Sequence, residues 1–143
     1  MAATRTAKAH WEGSLLEGAG QVNLESSGLG TFDVTWAARS QDKANGKTSP
    51  EELIAAAHST CFSMALSNAL AGADHAPEAI DTTADVTFVP GQGITGIKLS
   101  VTGKVPGLTA DEFAQFAEDA KKNCPVSQAL TGTTITLDVN FTA

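Results

Sequence analysis

Cys61 and Cys124 are the only cysteines in this chain of 143 residues, and each falls in a stretch patterned as helix. Three kinds of chemistry compete for them. Two unrelated buried thiols, acting as small core hydrophobes, are the commonest arrangement. A metal site is conceivable because His58 lies three residues before Cys61 on the same helix face, with Cys124 or His75 as further ligands. Strong zinc signatures bring two close ligand pairs, and only one is present here. The third reading is a redox pair. Three functional classes therefore stand open: a thiol enzyme, a metal-dependent hydrolase using His58, and a non-catalytic α+β binding or dimerisation module with buried thiols.

Local chemistry separates the two cysteines. Cys124 precedes Pro125 at the expected N-cap of a short helix, where free backbone N–H groups and the helix dipole stabilise a thiolate. Cys61 sits three turns inside a long helix without that help, and burial raises a thiol above its free value of about 8.5. A reactive Cys61 therefore requires a cation beside it. The chain has two arginines, Arg5 and Arg39. Arg39 is expected at the end of a strand, near the loop into the long helix, where a solvated surface charge is the commoner role.

The elements that position these groups follow from patterning. Ser49, Pro50 and Glu52 form a helix start with N-cap, first-position proline and capping box, and Glu51-Glu52 face the positive end of the dipole. The stretch from Leu53 to Leu70 is almost uncharged, so this central helix, placed at 49–71, is expected to be buried on most sides. Before it, alternation at Val22-Leu24 and at Phe32-Val34-Trp36, with Gly28-Leu29-Gly30 turning between, predicts a β meander over 8–39. After it come a β hairpin over 80–105, helices over 109–130 opened by Thr109-Ala110-Asp111-Glu112, and a last strand over 132–142. Gly91-Gln92-Gly93-Ile94-Thr95-Gly96 matches the dinucleotide fingerprint in letters only. A period-2, β-branched run follows it where a helix N-terminus is needed, so it is assigned to the hairpin turn.

Composition bounds the rest. The length suits one domain, 1–143, with a proper core. A net charge of −7 with nine scattered Lys and Arg argues against nucleic acid and against an anionic membrane surface. No apolar run is expected to reach a membrane span, and Met1 to Trp11 lacks the apolar segment of a secretory signal. A cytoplasmic location follows, where a cysteine pair that bonds is more often transient or catalytic.

His10-Trp11-Glu12-Gly13, the segment Ser49 to Leu66, and Cys124-Pro125-Val126-Ser127-Gln128 together resemble the osmotically inducible protein C / organic hydroperoxide resistance family, over nearly the whole chain. His58 and the Trp11 motif point to the osmotically inducible branch, while Ser59-Thr60 depart from the small apolar pair usual before this cysteine. The resemblance implies an OsmC-like intertwined α+β homodimer, with β-sheet layers around a long buried central helix carrying the first cysteine. Two active sites would lie at the subunit interface. It implies a thiol peroxidase without metal, haem or flavin, acting on organic hydroperoxides and recycled by a dithiol, with a lipoyl-type one suspected. Cys61 would match the peroxidatic cysteine and Cys124 the resolving one, the reverse of what dipole arguments suggest. Arg39 and Glu51 would match the pair that activates the thiolate. Ten residues of straight helix span about 15 Å, so an Arg39 paired with Glu51 does not easily touch Cys61. Either the helix breaks between them, or Arg39 and Glu51 are supplied by the partner subunit.

Overall fold

The computed structural model describes residues 2–143; Met1, the first residue of the polar N-terminal stretch, lies outside them. The chain divides into two compact units, 1–53 and 54–143.

In the first unit, β1 (Lys8–Glu12), β2 (Ala19–Asn23) and β3 (Thr31–Val34) form an antiparallel sheet in the order β1-β2-β3. The expected meander is present but stops short. The Phe32-Val34-Trp36 alternation continues in sequence beyond the strand, yet the chain turns into a one-turn helix, α1 (Trp36–Ser40). The Thr35 hydroxyl accepts from the Ala38 N–H at 3.1 Å, the capping bond that lets a threonine compete with strand pairing. Arg39 therefore sits in the last turn of α1 and not at a strand end.

The central helix α2 (Pro50–Gly72) runs unbroken for 23 residues. The Ser49 hydroxyl accepts from the Glu52 N–H at 3.1 Å, so half of the expected capping box is made. The Glu52 carboxylate instead accepts the Thr48 hydroxyl at 2.6 Å. Burial follows one stripe, Glu51, His58, Phe62, Leu66 and Leu70, while Ala57, Thr60, Met64, Asn68 and Ala71 are exposed in the single chain. The uncharged outer face thus differs from the expectation of burial on most sides, because one copy of the chain supplies packing for a single stripe. By length and composition α2 is also apolar enough to cross a bilayer, where no apolar run of that length is expected from the sequence.

The second unit is built on β4 (Ala79–Val89), β5 (Gly93–Lys104) and β6 (Thr134–Thr142), with β5 in the middle. β4 and β5 form the antiparallel hairpin, turned where the Gln92 N–H donates to the Val89 carbonyl at 2.9 Å. Gly91 and Gly93, both at positive φ (84° and 90°), make that turn, as the assignment of the glycine run to a hairpin required. β6 pairs parallel to β5, so the chain must cross over, and α3 (Ala110–Asn123) and α4 (Pro125–Ala129) make the crossing. Thr109 and Glu112 form a complete capping box at the start of α3. Phe62, Leu66 and Leu70 of α2, Leu99 and Val101 of β5, and Phe113, Ala117 and Ala120 of α3 close into one core that includes Cys124. Gly103 passes close to this core: a Cβ there would collide with the Phe113 ring.

Candidate active site

In the second unit α2 and α4 bring the cysteines together. The Cys61 and Cys124 side chains lie near enough for Cys124 to raise the Cys61 pKa, and the Val126 backbone N–H acts on Cys61 in the opposite sense. Cys124 is wholly buried and Cys61 half-buried, both as free thiols. The reason lies in the start of α4. Cys124 occupies the N-cap, as the sequence predicts, and Pro125 takes the first position, leaving the first-turn amide of Val126 without an intrahelical acceptor. That amide favours a thiolate at Cys61, so the help expected for Cys124 reaches the other cysteine, contrary to the expectation that Cys61 has none. Burial nonetheless pushes the Cys61 thiol up, and Cys124 adds to the rise; the Val126 amide opposes both.

A second tie joins the same two helices. His58 Nε2 lies 2.7 Å from Ser127 Oγ, and His58 is completely buried. His58 Nδ1 is buried with no hydrogen-bond partner, and desolvation lowers the His58 pKa, so the ring is neutral. Nε2–H donating to Ser127 leaves an unpaired acceptor at Nδ1, the less costly of the two neutral tautomers. The sequence leaves a metal site at His58 open only as a minor alternative, and here His58 Nε2 faces Ser127 Oγ. No group of three or more His, Cys, Asp and Glu suited to a metal occurs among the described residues.

Arg39 and Glu51 meet in the first unit. Arg39 Nε donates to Glu51 Oε1 at 3.0 Å and Nη2 donates to Oε2 at 3.0 Å, a two-pronged pair of the expected kind. The Glu51 side chain is 8% exposed and that of Arg39 31%. The guanidinium also lies 6.0 Å from the centre of the Trp36 ring, held there by the α1 turn. Arg39 lines an apolar cleft of about 480 Å³ with Trp11, Leu15, Trp36, Pro50 and Leu53.

The Val126 amide and the His58–Ser127 bond were both missed in the sequence. A signal for each exists in retrospect. Proline after a cysteine frees the following amide, and His58 stands three residues before Cys61 as Ser127 stands three after Cys124, matched offsets that two helices running in opposite directions bring into register.

A mixed sheet crossed by helices, with two free thiols in mutual contact at the start of one of them, defines a class of α+β dithiol proteins. The family described as OsmC-like protein matches residues 41–140. Peroxiredoxin OsmC of Escherichia coli (strain K12) is 45% identical over 134 residues, covering 92% of each chain. Organic hydroperoxide resistance protein OhrA of Bacillus subtilis (strain 168) is 33% identical over 100 residues, 68% of this chain and 70% of that one. Among solved structures, an organic hydroperoxide resistance protein OsmC from Legionella pneumophila superposes with a TM-score of 0.70 at 26% identity, covering 96% of this chain and 97% of that one. The chain belongs to the OsmC-like protein family.

Proposed function

We propose that the chain is a thiol-dependent peroxidase that reduces organic hydroperoxides, and less favourably hydrogen peroxide, to alcohols through Cys61 and Cys124. The observation that carries this reading is the juxtaposition of two cysteines that stand far apart in sequence, with the first-turn amide of α4 beside the first. The Cys61 thiolate attacks the terminal peroxide oxygen. The O–O bond breaks, the alkoxide leaves and takes a proton as the alcohol, and Cys61 becomes a sulfenic acid, oxidised by two electrons. Cys124 then attacks the Cys61 sulfur, the S–O bond breaks, and hydroxide leaves with the Cys124 proton as water. A dithiol of lipoyl type reopens the disulfide by exchange, supplying two electrons and two protons.

Arg39 and Glu51 are the activating pair in this proposal. Arg39 stabilises the thiolate and then the charge on the departing alkoxide, and Glu51 orients the guanidinium. The continuity of α2 from Pro50 to Gly72 supports a pair supplied from elsewhere over a helix break. A second copy of the chain supplies the pair instead, in a homodimer with active sites at the interface, and its packing covers the uncharged outer stripe of α2. The reaction is placed in the cytoplasm. No resident cofactor enters the cycle.

The test is the mass of the intact chain before and after one equivalent of cumene hydroperoxide. The wild type loses both thiols together as a disulfide. Cys124→Ser traps a sulfenic acid that a dimedone probe captures, and Cys61→Ser consumes no peroxide. Unchanged thiols in the wild type favour the non-catalytic dimerisation module and end the peroxidase reading. Peroxide turnover by a verified monomer refutes the shared site.

A further inference from the structure

We infer that His58 is a positioning residue for disulfide formation, its hydrogen bond to Ser127 fixing α4 against α2 so that Cys124 meets the oxidised Cys61. The inference rests on the two-cysteine cycle proposed above and assigns a residue to its second step.

α4 has little of its own to hold it. It spans five residues, Pro125–Ala129, too few for a helix to persist unaided. Its proline donates no hydrogen bond, and its N-cap cysteine makes no side-chain capping bond. The Ser127–His58 contact is the one side-chain hydrogen bond of α4 among the described residues. This contact lies one helical turn along α2 and one along α4 from the sulfur pair. A tilt or slip of α4 that breaks it therefore moves Cys124 and the Val126 amide together.

His58 is also a costly way to fill that space. It is fully buried, yet its Nδ1 has no partner, and a buried polar atom left unpaired destabilises the fold. An apolar residue of similar volume would pack there without the penalty, but it would not fix the register of α4. Register matters because a disulfide has narrow geometry, with Cα atoms usually about 4.4–6.8 Å apart. In the step itself, the Cys124 sulfur attacks the Cys61 sulfenic sulfur opposite its S–O bond. The S–S bond forms as the S–O bond breaks, and the hydroxide leaves with the Cys124 proton as water. No external electrons are required. Desolvation keeps His58 neutral, so the tie persists at neutral pH.

The experiment is a single turnover with cumene hydroperoxide, following peroxide consumption and disulfide formation separately by rapid quench and mass spectrometry. Ser127→Ala and His58→Leu are expected to slow disulfide formation at least fivefold more than peroxide consumption, with Cys61 sulfenic acid accumulating. His58→Gln, whose amide nitrogen reaches the Nε2 position, is expected to return that ratio to within about twofold of wild type. Equal slowing of both steps in every variant, or no change in the ratio, overturns the positioning role while leaving the peroxidase reading intact. A wild type that consumes no peroxide overturns both. Should His58→Leu fail to fold, Ser127→Ala and His58→Gln decide the matter.

Discussion

Breaking the Arg39–Glu51 pair from each side should give unequal costs, because the two partners are unequally sealed from water. Arg39→Met leaves the Glu51 carboxylate, 8% exposed, without its two donors. Removing one partner of a buried pair costs about 3–5 kcal/mol. Arg39 is 31% exposed, so the pair is not wholly buried and water recovers part of that cost. The lower end, about 3 kcal/mol, is the expected destabilisation. Glu51→Gln keeps an oxygen acceptor for one of the two donors and leaves a guanidinium already reached by solvent, for about 1 kcal/mol. The double variant leaves no stranded charge in the buried position and should cost about 2 kcal/mol, a coupling of about 2 kcal/mol in the double-mutant cycle. Urea unfolding of the reduced protein at pH 7 measures this, at one fixed protomer concentration because an assembling chain is stabilised by mass action. Single costs that simply add, or a Glu51→Gln cost above that of Arg39→Met, would refute the reasoning. The same variants bear on activation: with its fold retained, Arg39→Met should lose at least about 100-fold in peroxide reduction, on the scale of removing one donor to a developing oxyanion.

Two further outcomes follow from the second unit. The Cys124 thiol favours the protonated form of Cys61, so Cys124→Ala should move the midpoint of Cys61 alkylation by iodoacetamide to lower pH. A midpoint that rises would mean Cys124 stabilises the thiolate instead. Gly103→Ala should destabilise the chain by about 1–3 kcal/mol in urea, because its Cβ would meet the fully buried Phe113 ring, whose centre lies 5.0 Å from that of the tilted Phe141 ring. A neutral result would show that the ring has room to move.

Much of this architecture is written in local signals. The Thr109–Glu112 box is a four-residue pattern whose bonds form as the sequence predicts, and the Gly91–Gly93 turn follows from the strands on either side. Elements that depend on a single competing bond are harder to see. α1 is one turn long, too short to show a period, and the strand-like alternation through Trp36 hides the Thr35 cap that ends it. The parallel pairing of β6 is set by the crossover, and no pattern within its nine residues distinguishes it from an antiparallel strand. Cys61, Cys124, Arg39 and Glu51 are marked as candidates by residue type and family resemblance. The His58–Ser127 tie and the Val126 amide are contacts across 69 and 65 positions of chain, which only tertiary packing creates.

The sequence distance between the two sulfurs has a thermodynamic side. A bond between residues 61 and 124 would tie off a loop of more than sixty residues. Loop-closure entropy for that length amounts to about 4 kcal/mol, withheld from the denatured ensemble and so credited to the native one. Oxidation by peroxide would thus tether the chain at the moment of stress, giving the oxidised protein the higher urea midpoint. Each visit by a reductant would return it to a looser, more easily unfolded form.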